Sequence, residues 1–228
     1  MYELGRVTLL KPAFFNRDPR TVARALLGKV LVRKTPQGIL AGRIVETEAY
    51  LGKGDAAAHA VAGKTARNFV LFGPPGRAYV YFIYGNHYCL NVSCLPDGVP
   101  GCVLFRALEP LTGIEEMAQA RGVALGARDL EGIGRENPSG RNRLSILRKI
   151  SSGPGRMCEA LGITRERDNA KSLVSARSNL RVVNDGYRVR RVLVTRRIGI
   201  KKSADAPLRY VIAGNPFVSG PQSLHDSE

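Results

Sequence analysis

Glu46 and Glu48 stand two residues apart in RIVETEAY (43–50), and Tyr50 follows after a further two. In an extended strand, side chains two apart share a face. Ile44, Glu46, Glu48 and Tyr50 therefore point one way, and Val45, Thr47 and Ala49 the other. An acid pair beside an aromatic ring supports three chemistries. The glutamates can be one face of an edge strand, paired with some of the chain's many arginines. With Asp55 they can be oxygen ligands of a metal-dependent nuclease. Alternatively, one is a lone general base beside a slot for a planar ring, with aromatics and His59 of DAAAH (55–59) as its walls.

A second cluster lies in RAYVYFIY (77–84) and HYCLNVSCL (87–95), two β-rich runs joined by Gly85-Asn86, which reads as a tight hairpin. Tyr79 and Tyr81 share a face, and Tyr84 falls at the tip. A tip tyrosine can cap a neighbouring surface or act as a wedge between base pairs. Other chemistries are excluded. GKT (63–65) lacks a glycine at position 58, which is Ala58, so no phosphate-binding loop is formed. There is no His-x-Glu with Pro-Cys-x-x-Cys, the pattern of a zinc deaminase. Cys89, Cys94, Cys102 and Cys158 lack the paired spacing of a zinc site and read as buried free thiols.

The elements that must hold these residues fit one mixed α/β domain of 228 residues built on an antiparallel sheet. Asp18-Pro19 caps a helix running to Gly28, KVLVRK (29–34) and ILAGRIVETEAY (39–50) are strands, and TPQG (35–38) turns between them. Asp55 is expected to cap a short helix, AAAHAV (56–61), carrying His59, with a second helical stretch near Thr65. GCVLFRAL (101–108) is a strand. TGIEEMAQAR (112–121) is a helix with Thr112 and Glu115 at capping-box spacing. Residues 121–150 read as a basic loop, SSGPGRMCEALG (151–162) as a helix, and 180–200 as a hairpin across Asn184-Asp185-Gly186. LRYVIAGNPFVS (208–219) is the last strand, and 219–228 a frayed polar tail.

Charge narrows the partner. Thirty-five Lys plus Arg face nineteen Asp plus Glu, a formal +16, which points to a polyanion such as nucleic acid. Residues 188–202 alone hold seven Lys or Arg and no acid. No apolar run is long enough to span a bilayer and no signal-peptide design opens the chain, so a cytoplasmic, nucleoid-associated protein without a membrane partner is expected. A monomer is expected too, because no heptad or large apolar surface motif appears.

VETEAYLG (45–52), DAAAH, KTARN (64–68), PGRAYVYFIYGNHYCLNVS (75–93) and CVLFRALEP (102–110), in that order, resemble the alkyladenine (3-methyladenine) DNA glycosylase family, the animal-type enzyme also found in bacteria. KPAFFNRDPRTVARALLGKVLVR (11–33), SSGPGRMCEALGI (151–163) and PLRYVIAGNPFVS (207–219) extend the resemblance over nearly the whole chain. It implies a single compact domain around a curved antiparallel sheet with a protruding hairpin and no helix-hairpin-helix module. It also implies hydrolysis of the N-glycosidic bond of damaged purines in double-stranded DNA, without cofactor or metal. Glu48 falls on the catalytic glutamate that activates water, and Arg106 on an arginine near the water and phosphates. Tyr50, His59, Tyr81 and Asn91 fall on the base pocket, Asn91 helping to reject guanine's exocyclic amine. Tyr84 falls on the intercalating tyrosine. No lysine falls on the family's nucleophile position, so hydrolysis without strand cleavage, by a monofunctional enzyme, is implied. Glu46 has no role carried over and is expected to pair with an arginine. The 121–150 segment and 60–76 depart from the family pattern. The other reading that keeps the fold is a damaged-DNA binder without catalysis.

Overall fold

In the computed structural model, residues 7–126 and 141–220 are described. The chain opens with β1 (Thr8–Leu9), α1 (Pro12–Phe15) and α2 (Pro19–Leu26), then β2 (Val30–Lys34) and β3 (Ile39–Tyr50). A 3-10 turn (Phe69–Phe72) precedes β4 (Ala78–Ile83) and β5 (His87–Ser93), followed by β6 (Cys102–Thr112) and α3 (Ile114–Ala120). After the undescribed 127–140 come α4 (Arg141–Ser151), α5 (Pro154–Ala160), α6 (Arg165–Asp168), β7 (Leu180–Asn184), β8 (Val192–Thr195) and β9 (Arg209–Ile212). The strands form one curled antiparallel half-barrel, ordered β1-β7-β2-β3-β6-β5-β4, with β9 bridging β3 to β8. The domain is single and mixed α/β, as the sequence indicated.

β3 is the axis of the sheet. Along one side it pairs with β6 from Ala41 to Tyr50. Along the other it pairs first with β2 (Ile39 to Arg43) and then with β9 (Glu46 to Glu48). It is therefore no edge strand, and the solvated-edge reading of its glutamates fails: both are buried. The register against β6 shifts between Ile44 and Glu46 and again between Glu46 and Thr47. Such irregularities re-aim side chains locally, and here they fall at the acid pair.

α2 forms as its sequence dictates. Asp18 accepts the Arg20 N–H at 2.8 Å, Pro19 occupies the first turn, and Val22, Ala23 and Leu26 are buried one turn apart. Each large apolar side chain so buried contributes about 1.5–3 kcal/mol. The Thr47 hydroxyl on β3 donates to the Ala23 carbonyl at 3.0 Å, so α2 is fixed to the strand that carries the glutamates.

Several local expectations are corrected. α3 starts from Gly113 in a left-handed conformation (φ 69°), with no side-chain cap; Thr112 belongs to β6. A side chain at 113 would strike Leu40, and this close approach selects glycine over the capping box. The 121–150 segment is not loop throughout: 127–140 lies outside the described residues, but α4 covers Arg141–Ser151. Leu147 and Ile150 are buried with Leu144 packed beside them, a helical stripe that the intervening arginines disguise. Asn184–Gly186 joins no hairpin, because β7 pairs with β2 and β1 while β8 pairs with β9. The last strand is only Arg209–Ile212, and Ser219, where fraying was expected, is buried; 221–228 lie outside the described residues.

Candidate active site

β3, β6 and β9 meet in a buried charge centre. Arg106, on β6, donates from Nε to Glu46 Oε1 (2.9 Å) and lies 3.2 Å through Nη1 from Glu48 Oε1. Arg209, on β9, donates from Nε to the same Glu46 oxygen (2.7 Å) and fixes Thr195 Oγ1 and the Ser219 carbonyl with its two amino groups. The Ser219 N–H gives Glu46 Oε2 a bond of 2.7 Å. Burial alone would raise the Glu46 pKa, but Arg106 and then Arg209 outweigh it and hold the carboxyl below its ordinary range. Arg106 is shifted upward: burial disfavours its charge, but Glu48 and Glu46 hold it protonated.

Glu48 is buried on the same side. Its Oε1 accepts the Ile198 N–H at 2.8 Å besides facing Arg106, and its Oε2 accepts the Tyr50 hydroxyl at 3.0 Å. A carboxylate offers about four lone-pair positions. Among the described residues three are filled, and the position left open is on Oε2, beside Tyr50. The group can orient and deprotonate a small nucleophile there while Arg106 and the Ile198 amide hold it in place. Burial, then the neighbouring Glu48, raises the Tyr50 pKa, so its hydroxyl stays a donor.

Aromatic rings gather nearby, Tyr50 and Tyr81 both packing against the apolar cluster that contains Tyr79. His59 and Tyr81 meet edge to face at 4.5 Å, Tyr79 lies 5.5 Å from Tyr81, and His59 Nδ1 is 3.0 Å from the Tyr79 hydroxyl. Burial, then the Arg67 charge, lowers the His59 pKa, so the imidazole is neutral at pH 7. Asn91 is buried behind them, opposite Tyr79 in the β4–β5 register, and donates Nδ2 to the Tyr79 carbonyl at 3.3 Å. All four cysteines are free and buried. Two of them border these residues: Cys89 pairs across the strands with Tyr81, and Cys102 lies 3.8 Å from Asn91 Oδ1.

The expected helix at 56–61 is absent. The chain runs instead through successive turns, in which Asp55 accepts the N–H groups of Leu51 and Ala57. Gly52 (φ 77°) brings the backbone so close to the Pro100 carbonyl that any side chain there would collide. Asp55 closes this tight turn, its N–H donating to the Gly52 carbonyl at 3.4 Å. Of the second helical stretch, only the 3-10 turn at Phe69–Phe72 forms, with Asn68 bonded to Thr65 before it.

The site residues thus fall into three groups. Glu48, Arg106 and Tyr50 are in direct contact; His59, Tyr81 and Asn91 gather around Tyr79; Tyr84 stands apart at the hairpin tip, 79% exposed. The turn is centred on Tyr84 and Gly85, both at positive φ (55° and 73°), rather than on Gly85 and Asn86. For a tyrosine that conformation costs on the order of 1–3 kcal/mol. Glu46, as expected, pairs with arginine.

Sequence reading missed Arg197. It lies buried in the basic 188–202 run, binds Asp55 through both amino groups (2.7 and 2.8 Å), and places its guanidinium 4.6 Å over the Tyr50 ring. Arg209 was missed as well. No local signal separates either from its exposed basic neighbours. The metal reading loses its ligands: Glu46, Glu48 and Asp55 are all engaged by arginines. Among the described residues no cluster of three or more His, Cys, Asp or Glu is placed to hold an ion.

The profile of the methylpurine-DNA glycosylase family matches residues 13–216. A protein of Koribacter versatilis (strain Ellin345), provisionally named a 3-methyladenine DNA glycosylase, is 61% identical over 221 residues, covering 97% of this chain and 98% of that relative. Provisionally named proteins of the same kind from Burkholderia cenocepacia (strain HI2424) and Methanocella arvoryzae are each 43% identical, over 93% and 90% of this chain and 92% and 93% of their own lengths.

Proposed function

The chain belongs to the methylpurine-DNA glycosylase family, and on that premise we propose that it is a monofunctional purine DNA glycosylase. It flips an alkylated or deaminated purine (3-methyladenine, 7-methylguanine, hypoxanthine or ethenoadenine) out of duplex DNA and hydrolyses its N-glycosidic bond. The product is an abasic site for base excision repair. The observation that carries this reading is the unfilled acceptor of Glu48 beside Tyr50, whose ring packs, as Tyr81 does, against the apolar cluster that contains Tyr79.

The steps follow from the side chains present. Flipping costs a few kcal/mol, less for a damaged base, and Tyr84 fills the gap left in the stack. The purine stacks between Tyr50 and the His59–Tyr81 pair, each stacked aromatic contributing about 1–3 kcal/mol. Asn91 discriminates against guanine's amino group. A water at Glu48 Oε2 gives up its proton as its oxygen attacks C1′, the C1′–N bond breaks, and the electron pair leaves with the base. The Glu48 charge also stabilises the developing oxocarbenium, and Arg106 holds the carboxylate in line. General-base help of this kind is worth about 10²–10⁴ in rate. The enzyme acts as a monomer and needs no metal.

Six of the seven basic residues in 188–202 are exposed, Arg197 being the exception, and they are available to DNA phosphates. Among the described residues no helix is long and apolar enough to cross a membrane. The test is incubation, in chelator, with duplexes carrying one hypoxanthine or one alkylated adenine, followed by alkali. Site-specific abasic product without prior strand breaks is expected. Tight binding without product would make the protein a damage binder and overturn the role given to Glu48.

A further inference from the structure

The face of Tyr50 that a base would use is only one of two, and the other is occupied. The Arg197 guanidinium lies 4.6 Å from the ring centroid. Among the described residues Tyr50 has no ring–ring contact, so this cation is the partner of its π face. Arg197 is locked there: Nη1 donates to Asp55 Oδ2 and the Ala49 carbonyl (2.7 and 3.0 Å), and Nη2 to Asp55 Oδ1 and the Ser203 carbonyl (2.8 and 3.3 Å). Among the described residues its buried Nε–H has no acceptor. Four bonds therefore hold the guanidinium over the ring, while one of its own donors goes unpaired among the described residues. Asp55 accepts two further N–H groups, from Leu51 and Ala57, so its four acceptor positions are full and its charge is committed to Arg197.

A cation behind a ring draws on the same π electrons that would attract a cation in front of it. It also repels a second cation through the thickness of the ring, in a buried place where screening is weak. A bare Arg197 would thus disfavour purines that carry a positive charge, such as 7-methylguanine, relative to neutral ones such as hypoxanthine. Paired with Asp55, it presents almost no net charge.

We propose that the Arg197–Asp55 pair is a specificity-determining device. By holding a neutralised cation behind Tyr50, it lets one stacking ring serve both cationic and neutral lesions. Arg197 acts through Tyr50, not on the reacting atoms. The inference rests on the glycosylase reading above, in which Tyr50 stacks the flipped base.

The experiment measures kcat/KM on duplexes carrying 7-methylguanine or hypoxanthine at one pH, for wild type, Asp55→Asn, Arg197→Gln and the double variant. Asp55→Asn leaves the cation unmatched, and the 7-methylguanine to hypoxanthine ratio is expected to fall roughly tenfold. Arg197→Gln leaves the carboxylate unmatched, and the ratio is expected to rise by about the same factor. The double variant returns it to near the wild-type value. General loosening of the site would move both single variants in the same direction, so shifts of equal sign, or no shift, overturn the proposal. Should Arg197→Gln not fold, an unchanged ratio in folded Asp55→Asn suffices to overturn it. If wild type releases neither base, the glycosylase reading itself falls, an outcome separate from a flat ratio.

Discussion

Two buried carboxylates held by arginine, Asp168 and Glu48, use the same chemistry to different ends. Asp168, at the end of α6, accepts both amino groups of Arg33 (2.9 and 2.6 Å), the Lys171 ammonium (3.1 Å) and the Thr164 N–H (3.2 Å). Every acceptor position is taken, and the cluster staples β2 to the helical layer. Glu48 accepts from Arg106, Ile198 and Tyr50 and retains one position. Asp55 belongs with the saturated kind, although it lies beside the site. Glu46 stands between the two, anchored by Arg106, Arg209 and the Ser219 N–H, and among the described residues none of its hydrogen bonds goes to an aromatic side chain. Saturation marks a carboxylate that holds structure together, and an open acceptor next to an aromatic ring marks one that can act on a ligand.

The contrast can be broken most sharply at its two poles. Glu48→Gln keeps the shape and loses the base. Release is expected to slow by about 10²–10⁴, with a melting temperature close to wild type, as measured by single-turnover assay and calorimetry. Asp168→Asn should do the reverse, since it leaves the buried Arg33 charge short of its partner. A loss of about 3–5 kcal/mol in urea unfolding is expected, with the rate per folded molecule retained. A slow but fully stable Asp168→Asn, or a Glu48→Gln as unstable as Asp168→Asn should be, would erase the distinction.

Acid sharpens the comparison. Burial pushes Asp168 upward but Arg33 and Lys171 more than reverse it, and Arg197 and the Leu51 amide do the same for Asp55, so both carboxyls lie below their ordinary value of 3.8. Glu46 is likewise lowered, from 4.5. A carboxyl whose pKa is lowered on folding stabilises above its unfolded value, and that stability is lost as pH falls through the folded one. Urea midpoints should thus be flat toward neutrality and drop below about pH 4, less steeply in Asp168→Asn. A midpoint that is level down to pH 3 would show that these pairs do not support the fold. The smallest effect is expected at the tip. Tyr84→Ala should weaken capture of a lesion duplex by about tenfold, near the low end of the worth of one stacked aromatic. Stability should be untouched, because the side chain is exposed. Equal affinity in a duplex binding assay would remove the wedge.

Local patterns were legible in the sequence, and pairings across it were not. The alternation in 43–50 put Glu46, Glu48 and Tyr50 on one face, and the Asp18-Pro19 cap and the pairing of β4 with β5 also appear as read, although the turn between these strands is centred one residue earlier. Each depends on neighbours a few residues away. Arg197 and Asp55 are 142 residues apart, and Arg209 and Glu46 are 163 apart, so nothing local distinguishes these arginines from DNA-facing ones. α4 was hidden for another reason: its apolar stripe of Leu144, Leu147 and Ile150 is embedded in arginine-rich composition. The Thr112 cap and the Asn184–Gly186 hairpin satisfied local rules, yet tertiary placement overrode both: Gly113 fits against Leu40, and β8 finds β9.

The measurement that bears most directly on Glu48 is binding and release by one protein, Glu48→Gln, on one hypoxanthine duplex. Affinity within a few-fold of wild type with base release all but abolished is the expected result. Release at the wild-type rate would show that another group activates the water, and the open acceptor on Glu48 would then carry no catalytic meaning.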